Sequence, residues 1–144
     1  MVEEKAYIDK STLEVLLGNV IHSNSFDKCR VTIYDSGILH FEMKDREVLT
    51  SADLIESRSW VNSFGPNKYL VLIEAGHRTE VEDDIKELSA SKSGNHYTIA
   101  DAIVVKSLSQ RLIANLYLRF NKPVKPTRIF SDAESAAFWL MSFR

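Results

Sequence analysis

Short apolar runs separated by helix-length segments constrain this chain more than any other feature. Residues 69–74, 102–105 and 127–130 read as strands, and the segments between them carry apolar residues at helical spacing. Strands joined in this way pair in parallel through right-handed crossovers. The first of these runs is apolar from Tyr69 to Ile73 without alternation, as in a strand covered on both faces. Upstream, Val31 and Ile33 alternate in one strand, and Leu39, Phe41 and Met43 in the next. Asp35, Ser36 and Gly37 join them, with glycine where the turn wants a left-handed residue. This hairpin makes the sheet mixed.

Five helices are expected around it. Residues 11–22 place Leu13, Leu16, Leu17 and Val20 on one face, opened by Ser11 and Glu14 as a capping box and weakened by Gly18. Residues 50–64 form the second, capped at Thr50 or Ser51 and stopped by Gly65 and Pro66. The third opens at Thr79 and turns Val81, Ile85 and Leu88 to the core. Ser107 with Gln110 caps the fourth, whose Leu108, Leu112, Ile113, Leu116, Tyr117 and Phe120 are expected inside. Ser131 with Glu134 caps the last, which carries Ala137, Phe138, Leu140 and Met141. The fold class is α/β, with a mixed sheet of about five strands. The first helix must bury its apolar side on the sheet or on a second subunit, so a homodimer is an expected state. Residues 1–24 are set apart as an N-terminal extension and 25–144 as the domain.

A chain of 144 residues buries enough surface to fold without a metal or disulfide, and the lone Cys29 excludes an internal disulfide framework. Charge is unevenly spread. Residues 102–131 contain no acid and six cations, Lys106, Arg111, Arg119, Lys122, Lys125 and Arg128, although the whole chain carries −2. Such a stripe attracts phosphates, lipid headgroups or an acidic protein. A pI near 6.1 and the lack of a basic groove interleaved with aromatics argue against nucleic acid. No apolar run approaches the ~20 residues of a membrane span. The acidic start, with Glu3 and Glu4, is unlike a signal peptide, so a cytoplasmic protein is expected.

Catalytic patterns are weak. His22, His40, His77 and His96 are scattered without a metal-ligand spacing, and Cys29 has no motif that would activate it. There is no G-x-S-x-G elbow and no glycine-rich nucleotide loop. No catalytic residue, cofactor or metal is therefore expected. An enzyme alternative rests on His77 and Arg78, which follow a strand end. The acidic run Glu80, Glu82, Asp83 and Asp84 complements a helix dipole or imitates a phosphoserine. Ser107 and Ser109, beside Lys106 and Arg111, open a helix where an anion could sit, although a cap is the simpler role for Ser107.

From residue 30 onward the chain resembles a known family. Residues 104–113 (VVKSLSQRLI) look like a strand-to-helix junction, and Phe120–Pro123, Pro126–Thr127, Phe130–Asp132 and Trp139–Leu140 like a closing motif. Both are similar to small uncharacterised bacterial STAS/Sec14-like proteins, with the SpoIIAA-like fold of anti-sigma-factor antagonists. The resemblance implies helices mainly on one face of the sheet, and a regulatory or binding role with no transferable activity. Those antagonists carry a phosphorylatable serine where this chain has residues 80–84 (EVEDD), which leaves Thr79 as the nearby hydroxyl. The expected function is a non-enzymatic module binding a protein partner. Its expected partner or anion surface comprises Thr79, Asp83, Asp84, Ser107, Ser109, Arg111, Lys122 and Lys125. The alternative is a Sec14-like carrier of a small hydrophobic or anionic ligand.

Overall fold

Ser11 accepts the Glu14 N–H at 3.1 Å and so starts α1 (Thr12–Leu17). The computed structural model describes residues 11–91 and 96–144. Gly18 does not sit inside this helix but ends it, at φ +82°. A side chain there would collide with the Asp35 carboxylate, which accepts the Asn19 N–H at 2.9 Å. The helix expected over residues 11–22 thus stops at Leu17, and Val20–Ser25 forms β1. All but the last residue of this strand lies in the stretch set apart as an extension, yet it pairs antiparallel with β2 (Cys29–Tyr34).

β2 and β3 (Ile38–Met43) make the expected hairpin, with Gly37 at φ +92° in the turn. Next come β4 (Val48–Leu49), α2 (Ser51–Asn62), β5 (Tyr69–Glu74) and β6 (Glu80–Val81). The chain continues through α3 (Asp83–Ala90), β7 (Thr98–Val104), α4 (Leu108–Phe120), β8 (Thr127–Phe130) and α5 (Ala133–Met141). The main sheet has the order β1-β2-β3-β5-β7-β8, parallel from β3 onward, and β1 brings it to six strands. β4 and β6 form a separate parallel pair. The N–H groups of Glu80 and Glu82 go to the carbonyls of Glu47 and Leu49, so the helix expected from Thr79 begins only at Asp83. The last helix is capped by Asp132, which accepts the Ser135 N–H, rather than by Ser131.

Strand alternation sorts the interior into two cores. Val31, Ile33, Leu39, Phe41 and Val71 face α2 and α3, together with Val61 and Ile85. Ile38, Leu70, Leu72, Ala100, Ala102 and Val104 face the other way, against Leu17 of α1 and Ala136, Ala137 and Leu140 of α5. Three of the five described helices therefore lie on one face, with α4 beside α3, while α1 and α5 cover the other. The apolar side of α1 is used within the same chain, against α5. Leu140 is fully buried in this second core. Leu140→Ala should cost about 2–5 kcal/mol in urea unfolding, because the alanines around it cannot collapse into the space.

Candidate functional site

The C-terminal ends of the parallel strands carry the charged chemistry. Glu42 and Glu74 are register partners on β3 and β5, a like-charge pair that needs cations beside it. His40 Nε2 lies 2.8 Å from Glu74 Oε1, and Lys106 Nζ donates to Glu74 Oε2 at 2.7 Å. The bond to His40 foremost, and that to Lys106, hold the Glu74 carboxyl down to about 2 against its partial burial. His40 is buried, and its Nδ1 faces Glu42 at 4.0 Å. Among the described residues His40, Glu42 and Glu74 are the side chains best placed to hold a metal ion, with one ligand atom of each within 4.8 Å of the others. The imidazole, however, offers a different nitrogen to each carboxylate, and Lys106 already neutralises Glu74. This is the geometry of a hydrogen-bonded bridge between strands more than of a chelate.

A second polar cluster is internal. Asp101 Oδ2 and Lys125 Nζ are 3.0 Å apart, with both side chains 5% exposed. Lys125 Nζ also donates to the Ser89 carbonyl at 2.5 Å. Burial raises the Asp101 carboxyl and lowers the Lys125 ammonium, each opposed by the partner's charge. Lys125 thus leaves the expected anion surface, because its charge is spent on Asp101 inside the fold. The cavity beside this pair, lined by Arg58, Tyr97 and Asp101 among apolar residues, has about 80 Å³. Ligand pockets are several times larger, roughly 300–1,000 Å³.

The largest deviation from expectation is α4. Of its six residues expected inside, only Tyr117 is buried, joined by Ala114. Leu108 is 74% exposed and Phe120 70%, and Leu112, Ile113 and Leu116 are also exposed. The β-strand at this end of the sheet, β8, has only four residues, so one narrow line of the helix finds a surface to cover. Between α3 and α4 runs an apolar cleft of about 460 Å³, floored by Met43, Ile73, Ile103 and Val105 and walled by Ile85, Ile113 and Tyr117. Gln110 anchors one wall, donating through Nε2 to the Gly76 carbonyl at 2.8 Å and accepting the Lys106 N–H at 2.7 Å. Gly76 has to be glycine there, since a Cβ would lie 2.6 Å from the Met43 carbonyl oxygen.

The other expected site residues fall around this cleft. Thr79 lines it but is buried, with its hydroxyl donating to the Lys44 carbonyl at 2.9 Å. Asp83 is exposed and pairs with Lys86 at 3.2 Å, and Asp84 accepts the Ile85 N–H. Ser107 is the α4 cap, accepting the Gln110 N–H at 3.1 Å, and Ser109 is exposed in the first turn. Arg111 points the other way and donates to Ser131 Oγ at 2.6 Å. Lys122 is exposed at φ +48° beyond the helix end. His77 is exposed in a loop, its N–H donating to Asp45. Burial first, then the nearby Asp53 charge, pushes the Cys29 thiol up to about 11, far from a reactive thiolate. The residues that sequence reading missed are His40, Glu42 and Glu74. The first two stand opposite Leu39, Phe41 and Met43 on β3, a visible polar face, but Glu74 is 34 residues from His40.

With this architecture in place, the chain is seen to have a SpoIIAA-like fold. An uncharacterised protein of the DUF3478 family from Shewanella loihica PV-4, described with that fold, superposes at a TM-score of 0.53. The match covers 85% of this chain and 92% of that one at 14% identity, so it shows the fold alone. A protein with unknown function from Arthrobacter sp. FB24 is 20% identical over 76% of this chain and 96% of its own, at a TM-score of 0.28. No curated protein matches. The model of a domain of unknown function, DUF7793, matches residues 32–144, and the chain belongs to that family. No helix among the described residues is long and apolar enough to cross a membrane.

Two measurements test the charged clusters. The Glu74 carboxyl is depressed by folding, so its stabilisation is complete above about pH 4.5 and is lost as the pH falls through about 2. The advantage of the wild type over Glu74→Gln, roughly 1–2 kcal/mol near neutrality, should shrink across that window in urea titrations. Lys125→Met should cost about 3–5 kcal/mol by stranding Asp101, and the double variant with Asp101→Leu should recover much of it.

Proposed function

We propose that this protein is a protein-binding regulatory module with no catalytic chemistry of its own, acting in the cytoplasm through the face formed by α3 and α4. The observation that carries this reading is the exposed apolar arc of α4 beside an open apolar cleft. Contiguous exposed apolar surface of this kind marks an interaction site far more often than it occurs idly on a monomer. Asp83 and Asp84 on α3, and Ser109 on α4, stand at the first turns of the two helices that wall the cleft. The buried hydroxyl of Thr79 argues against phosphate control of the antagonist kind at that position. A carrier of hydrophobic ligands would enclose most of its cargo. The interior cavity is too small for that, and the cleft opens outward.

The test is capture from a host lysate by the wild type and by Leu112→Asp/Leu116→Asp. Both positions are exposed, so the variant should stay folded and lose only about 1 kcal/mol through the weaker helix propensity of Asp. Proteins retained by the wild type and lost by the variant are the expected result. Identical capture by both would overturn the reading.

A further inference from the structure

Resting on that reading, we propose that the protein bound by α4 is a second copy of this chain, in a two-fold dimer whose α4 helices run parallel. At 100° per residue, Leu108, Leu112, Leu116, Phe120 and Ile113 fall within an arc of about 140°, and the strip is about 18 Å long. All five are exposed. The two borders of this strip have opposite charge. On the α3 side, across the cleft, stand the exposed carboxylates of Glu80, Glu82, Asp83, Asp84 and Glu87. On the far side of α4 are Arg111, half-buried and donating to Ser131, and the exposed Lys122 past the helix end. Arg119 stands at that edge of the strip, between Leu108 and Leu112, and all three lie in a 30-residue segment that contains no acid at all. Read across the helix, the surface is acidic, then apolar, then basic.

That order selects the occupant. An anionic lipid surface would be drawn to the basic border and repelled by five carboxylates on the same side of the molecule. A uniformly acidic peptide meets the same conflict. The partner must carry both signs on either side of an apolar strip, and a second copy does so by construction. Symmetry then chooses the orientation, since an isologous contact joins the same patch on both subunits. A two-fold axis along α4 lays the acidic border of each subunit over the basic border of the other. An axis across α4 would set acid on acid and base on base. The first arrangement brings the helices together in parallel, with Leu112 facing Leu112 of the other copy.

Sedimentation velocity across a concentration series reads the result directly. The wild type should be a dimer with a concentration-dependent thermal midpoint, and Leu112→Asp/Leu116→Asp a folded monomer that keeps the wild-type circular dichroism spectrum and unfolds at a concentration-independent midpoint. The acid-border variant Glu82→Lys/Asp83→Lys and the base-border variant Arg119→Glu/Lys122→Glu should each weaken self-association by at least about tenfold. Mixed together, these two should regain a dimer containing one of each. Leu112→Cys should cross-link to itself under mild oxidant, which an antiparallel pair would not favour. A wild type that stays monomeric at every concentration would overturn the proposal, as would a dimer indifferent to both α4 and border substitutions. A monomer that captures another protein in an α4-dependent way sinks the second copy but leaves the protein-binding reading standing. If that monomer instead binds phosphatidylglycerol vesicles through α4, or loses nothing on α4 substitution, both readings fall.

Discussion

The two inner strands of the parallel part of the sheet, β5 and β7, are buried on both faces, and the rest of the molecule follows from covering them. A parallel sheet cannot leave either face to water, because its strands present apolar side chains on both. On one side α1 and α5 do the covering, through small residues at Ala100, Ala102, Ala136 and Ala137 that bring helix and sheet close together. On the other, α2 and α3 close over β2, β3 and β5, with Leu49 and Val61 sealed beneath them. Coverage runs out toward β8. There α4 has little sheet below it, and the apolar arc it was expected to bury faces outward.

The charged groups are organised by the same layering. Asp101 interrupts β7 on its α2 and α3 face and is tolerated because Lys125, from the loop that leads into β8, reaches it. The pair fixes that crossover to the sheet, although burying two charges is weak evidence of net stabilisation. At the strand ends, Glu42 and Glu74 would repel each other across adjacent strands without His40 and Lys106. Both clusters find their hydrogen-bond and ion-pair partners within the chain.

Much of this was legible beforehand. The alternation of Val31, Ile33, Leu39 and Phe41, the unbroken run from Tyr69 to Ile73, the turn glycine Gly37 and the Ser107 cap all appear as their residue types dictate. Gly18 was misread because a glycine inside a helix and one just past its end look alike on a helical wheel. The difference lies in Asp35, which ties the next residue's N–H and leaves no room for a side chain. Glu80 and Val81 carry the spacing of a helix start but become a strand, since Glu47 and Leu49 offer their carbonyls there. The polar face of β3 could be seen, but its partner Glu74 could not, because parallel register is set by a crossover through α2.

The sequence by itself determined the local choices: where helices start, which turns need a left-handed residue, which strands are apolar on both sides, and the division of charge along the chain. These depend on backbone conformation and on neighbours within a few residues. Only the tertiary structure decided which apolar faces are covered and which charges are matched. Leu108 and Leu112 differ from Leu140 in nothing that residue type or periodicity reveals. What separates them is the strand that lies beneath each one, and that is fixed by contacts between segments far apart in the chain.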